Sequence, residues 1–237
     1  MRKSAEEMPT LSWAESTRGR GYSVIPNVFP QKDMDKIFEE FNAAQLTRSR
    51  AGVRHAMRIP AVAEMARGTA LLGIAREILG EGAFPFRATL FDKSATANWL
   101  VVWHQDTALP LKERREIAGW GPWSLKDGVQ YAHAPASALE AVVALRVHLD
   151  DSTNENGPLR VLPGTHALGV LTDDQIHDLS RKVAEAECLV PRGGVLAMRP
   201  LIVHASSKAQ SEKPRRVLHI EYSVPSGLGD DLELAIA

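Results

Sequence analysis

The chain is poor in cysteine, with Cys188 alone among 237 residues. That rules out an internal disulfide and a structural zinc site closed by several thiolates, and it suits a reducing compartment. Neither sign of charge is in excess: 28 Lys and Arg stand against 29 Asp and Glu, for a net charge of −1. No overall field recruits nucleic acid or an anionic membrane surface. Long apolar runs are missing as well, and none approaches the ~18 residues that cross a bilayer. The opening MRKSAEEMPTLSW has basic residues but no apolar block behind them of the kind a signal peptide carries. A cytoplasmic address is expected, with neither membrane nor nucleic acid as partner. Internal repeats and low-complexity tracts are absent too, and no pattern specifies an oligomeric state.

What is present is an ordinary globular composition, 44% hydrophobic and 24% charged, in a chain long enough for one sizeable core. A single domain over 1–237 is expected, with a helical part over about 1–80 and a strand-rich core over about 84–223. GYSVIPNVF (21–29) reads as a short strand. In the segment after it, Met34, Ile37, Phe38 and Phe41 recur at helical spacing as a core stripe. TALLGIAREILG (69–80) predicts a second helix, closed by Gly80. From Phe84 onward short strands alternate with turn-rich connections, the pattern of an antiparallel sandwich or jelly roll, and the preceding helices would cover one of its sheets. Thr107 to Ala138 reads as a long loop carrying Trp120, Trp123, Tyr131 and His133. Trp120, Trp123 and Tyr131 either help enclose substrate or anchor the loop. The basic segment RSRAGVRHAMR (48–58) either meets an anionic group through Arg54 or Arg58 or is a solvated face.

The chemistry is concentrated in WHQD (103–106). On a strand, residues i and i+2 leave the same face, so His104 and Asp106 can grip one ion together, with a third ligand supplied from elsewhere. Two imidazoles and one carboxylate leave coordination positions open, as in non-haem Fe(II) oxygenases, and point to a first-row transition metal rather than magnesium or calcium. A His-x-Asp pair alone is weak, since such pairs arise by chance.

The surrounding segments make it specific. ALRVHLDDSTNENGPLRVLPGTH (144–166), VLAMRPLIVHASS (195–207) and PRRVLHIEYS (214–223), taken with WHQD, resemble the phytanoyl-CoA dioxygenase family of Fe(II)- and 2-oxoglutarate-dependent oxygenases over residues 84 to 223. NGPL followed by VLPGTH, between the His-x-Asp and the distal histidine, is the most specific part. The resemblance implies a double-stranded β-helix of the cupin-like jelly-roll type. It implies iron ligands His104, Asp106 and His204, and it makes Arg215 the partner of the far carboxylate of 2-oxoglutarate, helped by Ser206. The implied reaction consumes 2-oxoglutarate and O2, releases succinate and CO2, and hydroxylates a C–H bond of a small molecule. Related halogenases lack the carboxylate, so Asp106 favours hydroxylation.

Charge supports the same arginine. A bound dicarboxylate would leave Fe(II), two neutral histidines and one aspartate net negative unless a cation answered, and a guanidinium matches a carboxylate in two parallel hydrogen bonds. Arg215 lies 11 residues beyond His204, as in the family, and Arg216, facing the other way on a strand, is read as solvated. In ALEAVVALRVHLD (138–150), Arg146, His148 and Asp150 share one face and Leu145, Val147 and Leu149 the other. The polar face lies either in a wet barrel interior, where Arg146 reaches co-substrate or substrate, or on solvent. The family places a co-substrate-contacting aromatic near here, so arginine suggests an anionic substrate or an altered co-substrate pocket. Gly157 in NENGP is assigned to the backbone and His166 to a structural hydrogen bond. Two other readings remain open: a keto-acid-independent cupin-type metalloenzyme, and a non-catalytic binding module of the same fold.

Overall fold

The computed structural model describes residues 11–44, 48–49, 52–94, 97–225, 228 and 232–237. The opening decapeptide weighed above as a leader, the side chain of Arg48, and Arg50 lie outside the described residues. In chain order the elements are α1 (Trp13–Arg20), β1 (Tyr22–Ile25), α2 (Gln31–Ala43), β2 (Arg48–Ser49), β3 (Gly52–Val53), α3 (Pro60–Arg67), α4 (Thr69–Leu79), β4 (Phe84–Lys93) and β5 (Val101–His104). Then come β6 (Ala108–Leu111), β7 (Trp123–Lys126), β8 (Val129–His133), α5 (Ala136–Glu140), β9 (Val142–His148) and β10 (Leu159–Val161). The remainder is α6 (Asp173–Lys182), β11 (Ala186–Cys188), β12 (Val195–Met198), β13 (His204–Ser206) and β14 (Arg215–Ser223).

Local chemistry sets the helix ends. Ser12 and Glu15 form a reciprocal capping box at α1, and Gly21, at φ 87°, ends that helix in the left-handed region. Thr172 and Gln175 repeat the box at α6. Pro60 opens α3, where its missing N–H costs nothing. Met34, Ile37 and Phe41 of α2 are buried, as are Leu71, Ile74, Ala75 and Ile78 of α4.

Those helical stripes pack on one face of a seven-stranded sheet ordered β1-β12-β9-β14-β4-β3-β2. The contact surface is a single cluster in which helix residues meet Leu90, Val143, Leu145, Val147, Leu218, Ile220 and Tyr222. Tyr222 also donates its buried hydroxyl to the Ala66 carbonyl of α3 at 2.8 Å. The opposite face of this sheet packs against the four-stranded sheet β11-β10-β13-β5 through Ala144, Leu159, Val161, Cys188, Leu196, Met198 and Ile202. Paired antiparallel sheets with helices on one outer face make a double-stranded β-helix, as the family resemblance implied, within the sandwich or jelly-roll class that the strand pattern suggested.

Alternation along two central strands decides what the interior holds. In β14, Leu218, Ile220 and Tyr222 serve the helical core, so Arg215, Val217, His219 and Glu221 point between the sheets. In β9 the same rule sends Arg146 and His148 inward, and both are buried. Arg215 pairs across the ladder with Lys93, His219 with both Thr89 and Arg146, and Glu221 with Arg87.

Several sequence expectations need correction. The stretch 107–138 is no structureless loop but contains a three-stranded sheet ordered β6-β8-β7, with Pro110 inside β6 and the turn at Asp127–Gly128 between β7 and β8. The strands are too short, and too interrupted by Gly and Pro, to show a period. Asp150 lies past the end of β9 and leaves the Arg146 face; its carboxylate takes the Arg216 backbone N–H at 2.9 Å and the Arg216 guanidinium at 2.5 and 2.7 Å. Arg216 is therefore paired rather than solvated, and it lies 3.8 Å over the Phe38 ring.

Candidate active site

β5 and β13 are antiparallel neighbours with His104 opposite His204, which brings two residues a hundred positions apart into one cluster. β5 ends at His104, so Asp106 reaches the site from just beyond the strand, its backbone N–H held by the Pro200 carbonyl at 3.0 Å. Gln105 between them is buried and pins the segment, donating to the Gly169 and Leu201 carbonyls and accepting from the Leu171 N–H. His104 Nε2 lies 3.7 Å from one Asp106 oxygen and His204 Nε2 3.6 Å from the other. One ligand atom from each of the three side chains falls within 4.8 Å of the others.

The tautomers fit a metal. His104 Nδ1 contacts the Val102 carbonyl at 2.8 Å and His204 Nδ1 the Ile202 carbonyl at 2.9 Å. A carbonyl only accepts, so each Nδ1 carries the proton and each neutral ring turns the lone pair of Nε2 toward Asp106. Two ring nitrogens and a carboxylate facing one another within 4.8 Å form a donor set suited to one shared cation. Burial alone would raise the Asp106 carboxyl, but His204 and His104 outweigh it and hold it well below the ordinary range. Burial pulls His204 down to about 4, whereas for His104 the hydrogen bond and charge of Asp106 overcome burial and raise the ring. His204 is sealed, at 4% side-chain exposure, while His104 and Asp106 open to solvent at 37% and 31%.

The three side chains line one pocket with Phe91, Trp99, Val101, Arg146, Leu159, Ser206 and Arg215. Arg215, 4% exposed, donates to Ser206 Oγ at 3.4 Å and to the Asn156 carbonyl at 3.3 Å. Burial and then Arg146 pull it down to about 9. Lys93, which sequence reasoning missed, is 1% exposed and sits beside it, Nζ donating to Ser206 Oγ at 2.7 Å and to the Ser207 carbonyl at 2.6 Å. Burial first, then the charges of Arg215 and Arg146, lower Lys93 to about 7. Gly157, at φ 68°, permits this packing, because a Cβ there would sit 2.4 Å from the Ser207 oxygen. Deeper in, Arg87 and the buried Glu221 form an ion pair whose second bond measures 2.6 Å. His148 is buried and uncharged beside Arg146 and Arg215, and neither of its ring nitrogens has a partner.

The other sequence candidates fall elsewhere. Arg54 pairs with Asp127 at 4.0 Å on the surface, Arg58 is exposed, and neither lines the pocket. Trp120 and Trp123 pack against the cluster of Leu109, Leu111 and Leu139, which makes them anchors. Tyr131 is buried, its hydroxyl 3.2 Å from His55 Nε2. His166 binds the Arg18 carbonyl at 2.9 Å, a structural role. A larger cavity, about 530 Å³, lies apart from His104 and His204 and is lined by His166, and its Arg18 and Arg199 are spent on the Glu77 and Glu140 carbonyls. Lys93 left little trace in the sequence beyond its parity with Arg87, Thr89 and Phe91 on one face of β4.

The family profile of phytanoyl-CoA dioxygenase matches residues 17–217. The chain belongs to the phytanoyl-CoA dioxygenase family. It is 29% identical over 187 residues to L-proline trans-4-hydroxylase from Streptomyces griseoviridis, a match covering 68% of this chain and 62% of that protein. Among solved structures, EctD from S. alaskensis with 2-oxoglutarate and 5-hydroxyectoine superposes at a TM-score of 0.69 with 17% identity, covering 96% of this chain and 82% of that one. The epimerase SnoN in complex with Fe3+, alpha ketoglutarate and nogalamycin RO gives 0.68 with 17% identity, covering 94% and 84%. These likenesses confirm the fold. No helix among the described residues is long and apolar enough to cross a membrane.

Proposed function

We propose that this protein is an Fe(II)- and 2-oxoglutarate-dependent hydroxylase of a small molecule. One observation carries the reading: a set of two imidazoles and one carboxylate within 4.8 Å shares its pocket with Arg146 and Arg215, which form no ion pair with a carboxylate among the described residues. His104, Asp106 and His204 are the ligands for iron, which when bound supplies the activation of O2 that is coupled to decarboxylation of the keto acid to succinate and CO2. Arg215, Lys93 and Ser206 hold the far carboxylate of 2-oxoglutarate. Ser206 Oγ sits between the two cationic side chains, so one carboxylate can be reached by all three. Phe91, Val101 and Leu159 supply apolar wall that keeps water from the reacting end. Family membership, a hydroxylase relative and neighbours solved with iron and 2-oxoglutarate support this assignment. A keto-acid-independent metalloenzyme would leave Lys93 and Arg215 buried together with no task.

The test is succinate release from 2-oxoglutarate under air with Fe(II), with bound metal measured alongside. His104→Ala, Asp106→Ala and His204→Ala are each expected to fall to the metal-free background and to lose bound iron. Wild-type succinate release by any of the three would remove the ligand assignment.

A further inference from the structure

Arg146 is the charge in the pocket that the proposed reaction leaves without work. It is 6% exposed, it lines the same pocket as the candidate iron ligands, and no carboxylate among the described residues lies within ion-pair distance of it. Among the described residues its Nε is buried without a partner, and the hydrogen bond it makes runs from Nη1 to His219 Nδ1 at 3.0 Å. Arginine only donates, so His219 Nδ1 accepts and the proton of that ring sits on Nε2, 3.9 Å from Glu221. Glu221 is in turn clamped by Arg87, which also donates to the Ala108 carbonyl at 2.9 Å. The Phe91 ring lies 5.2 Å from the Arg146 guanidinium and edge-on to His219 at 5.7 Å. The guanidinium is thus held in place from behind by a neutral imidazole, an ion pair and an aromatic ring, with donors left over.

A buried arginine with spare donors, and with Asp106 and Glu221 acting on it only from beyond ion-pair distance, is a site for an anion. On the proposed function, both ends of the keto acid are already placed, one at Arg215, Lys93 and Ser206 and the other at the metal. With the metal and the doubly charged keto acid present, Asp106, Lys93, Arg146 and Arg215 still leave the pocket with surplus positive charge. We infer that Arg146 is the anchor for a carboxylate carried by the primary substrate, with His219 as its positioning residue. The substrate class is therefore a small carboxylic acid, presented to the iron by its acid group. This rests on the hydroxylase reading and adds a specificity determinant to it.

The experiment is calorimetric titration of Zn(II)-loaded, 2-oxoglutarate-saturated protein with L-proline, benzoate and hexanoate, each beside its primary amide. Binding of at least one acid, with its amide about tenfold weaker or more, is expected, since a charge-assisted hydrogen bond is lost. Arg146→Met is expected to erase that preference while keeping 2-oxoglutarate affinity within about twofold, and Arg146→Lys to restore part of it. His219→Phe, which cannot accept from Arg146, is expected to weaken the acid without affecting the amide. Failure of every acid to bind, equal binding of acid and amide, or an Arg146→Met variant that keeps the preference would each overturn the inference. So would an Arg146→Met variant whose 2-oxoglutarate affinity drops as far as its acid affinity, because the residue would then serve the co-substrate. Failure of 2-oxoglutarate itself to bind the wild-type protein would instead sink the hydroxylase reading beneath it.

Discussion

Titrating Lys93 offers the sharpest check on the co-substrate clamp. In the free protein its amine is lowered to about 7, by burial first and then by Arg215 and Arg146, so at pH 8.5 only about one molecule in thirty carries the charge. A carboxylate placed against Lys93 and Arg215 favours the protonated amine, so binding 2-oxoglutarate above neutrality must take up a proton. Dissociation constants are then expected to rise by close to tenfold per pH unit between about pH 7.5 and pH 9. Lys93→Met removes the group that takes up the proton. Its affinity is expected to change by no more than about twofold over that window, the residual fall near pH 9 coming from Arg215, and to lie roughly tenfold or more below wild type at pH 7, with the gap narrowing as wild-type Lys93 loses its proton. Stability moves the same way by linkage. Because the folded amine is depressed below its unfolded value, the unfolded chain binds more protons between about pH 7 and pH 10, so the wild-type protein gains stability as pH rises through that range and Lys93→Met does not. The assay is anaerobic calorimetry with metal held constant, beside thermal unfolding at the same pH values. A wild-type affinity independent of pH, or the same slope in Lys93→Met, would refute the placement of Lys93 against the co-substrate.

Three further outcomes follow from the same geometry. Arg215→Ala should weaken 2-oxoglutarate by roughly 10- to 100-fold through loss of a charge-assisted contact, while metal content stays at the wild-type level; titration of the co-substrate and metal analysis check both halves. Glu221→Gln leaves Arg87 without its counter-charge in a buried position, which costs on the order of 3–5 kcal/mol and lowers Tm by roughly 10 °C; an unchanged melting curve would show that the pair is dispensable. Gly157→Ala forces a side chain into a left-handed φ of 68° and against the Ser207 carbonyl, a cost of at least ~1–2 kcal/mol. That carbonyl holds Lys93, so co-substrate affinity should fall together with stability, and a variant that loses only one of the two would break the link.

What the sequence disclosed depended on periodicity. The helices at 31–43 and 69–79 were legible because their buried residues recur at helical spacing, and the shared face of Arg146 and His148 was legible because they interrupt an apolar run at a spacing of two, although spacing alone left open whether that face looks inward or to solvent. The same parity separated Arg215 from Arg216. Parity holds only while the strand lasts, which is why Asp150, past the end of β9, departs from the face that spacing alone gives it and binds Arg216 instead. Lys93 was hidden for a different reason. Its significance comes from lying opposite Arg215 across the β4–β14 ladder, and strand neighbours so far apart in sequence leave no local signature. The small sheet β6-β8-β7 was invisible because four- and five-residue strands around glycines and prolines carry too few positions for alternation to stand out.

β14 carries Arg215, His219 and Glu221 on one side and Leu218, Ile220 and Tyr222 on the other. Inserting or deleting one amino acid within it would exchange the two sets, turning grease into the reaction chamber and charges into the helical packing layer at a stroke. Diversification of this scaffold along that segment is thereby confined to swapping side chains at fixed positions, while length variation is left to the connections around the rim.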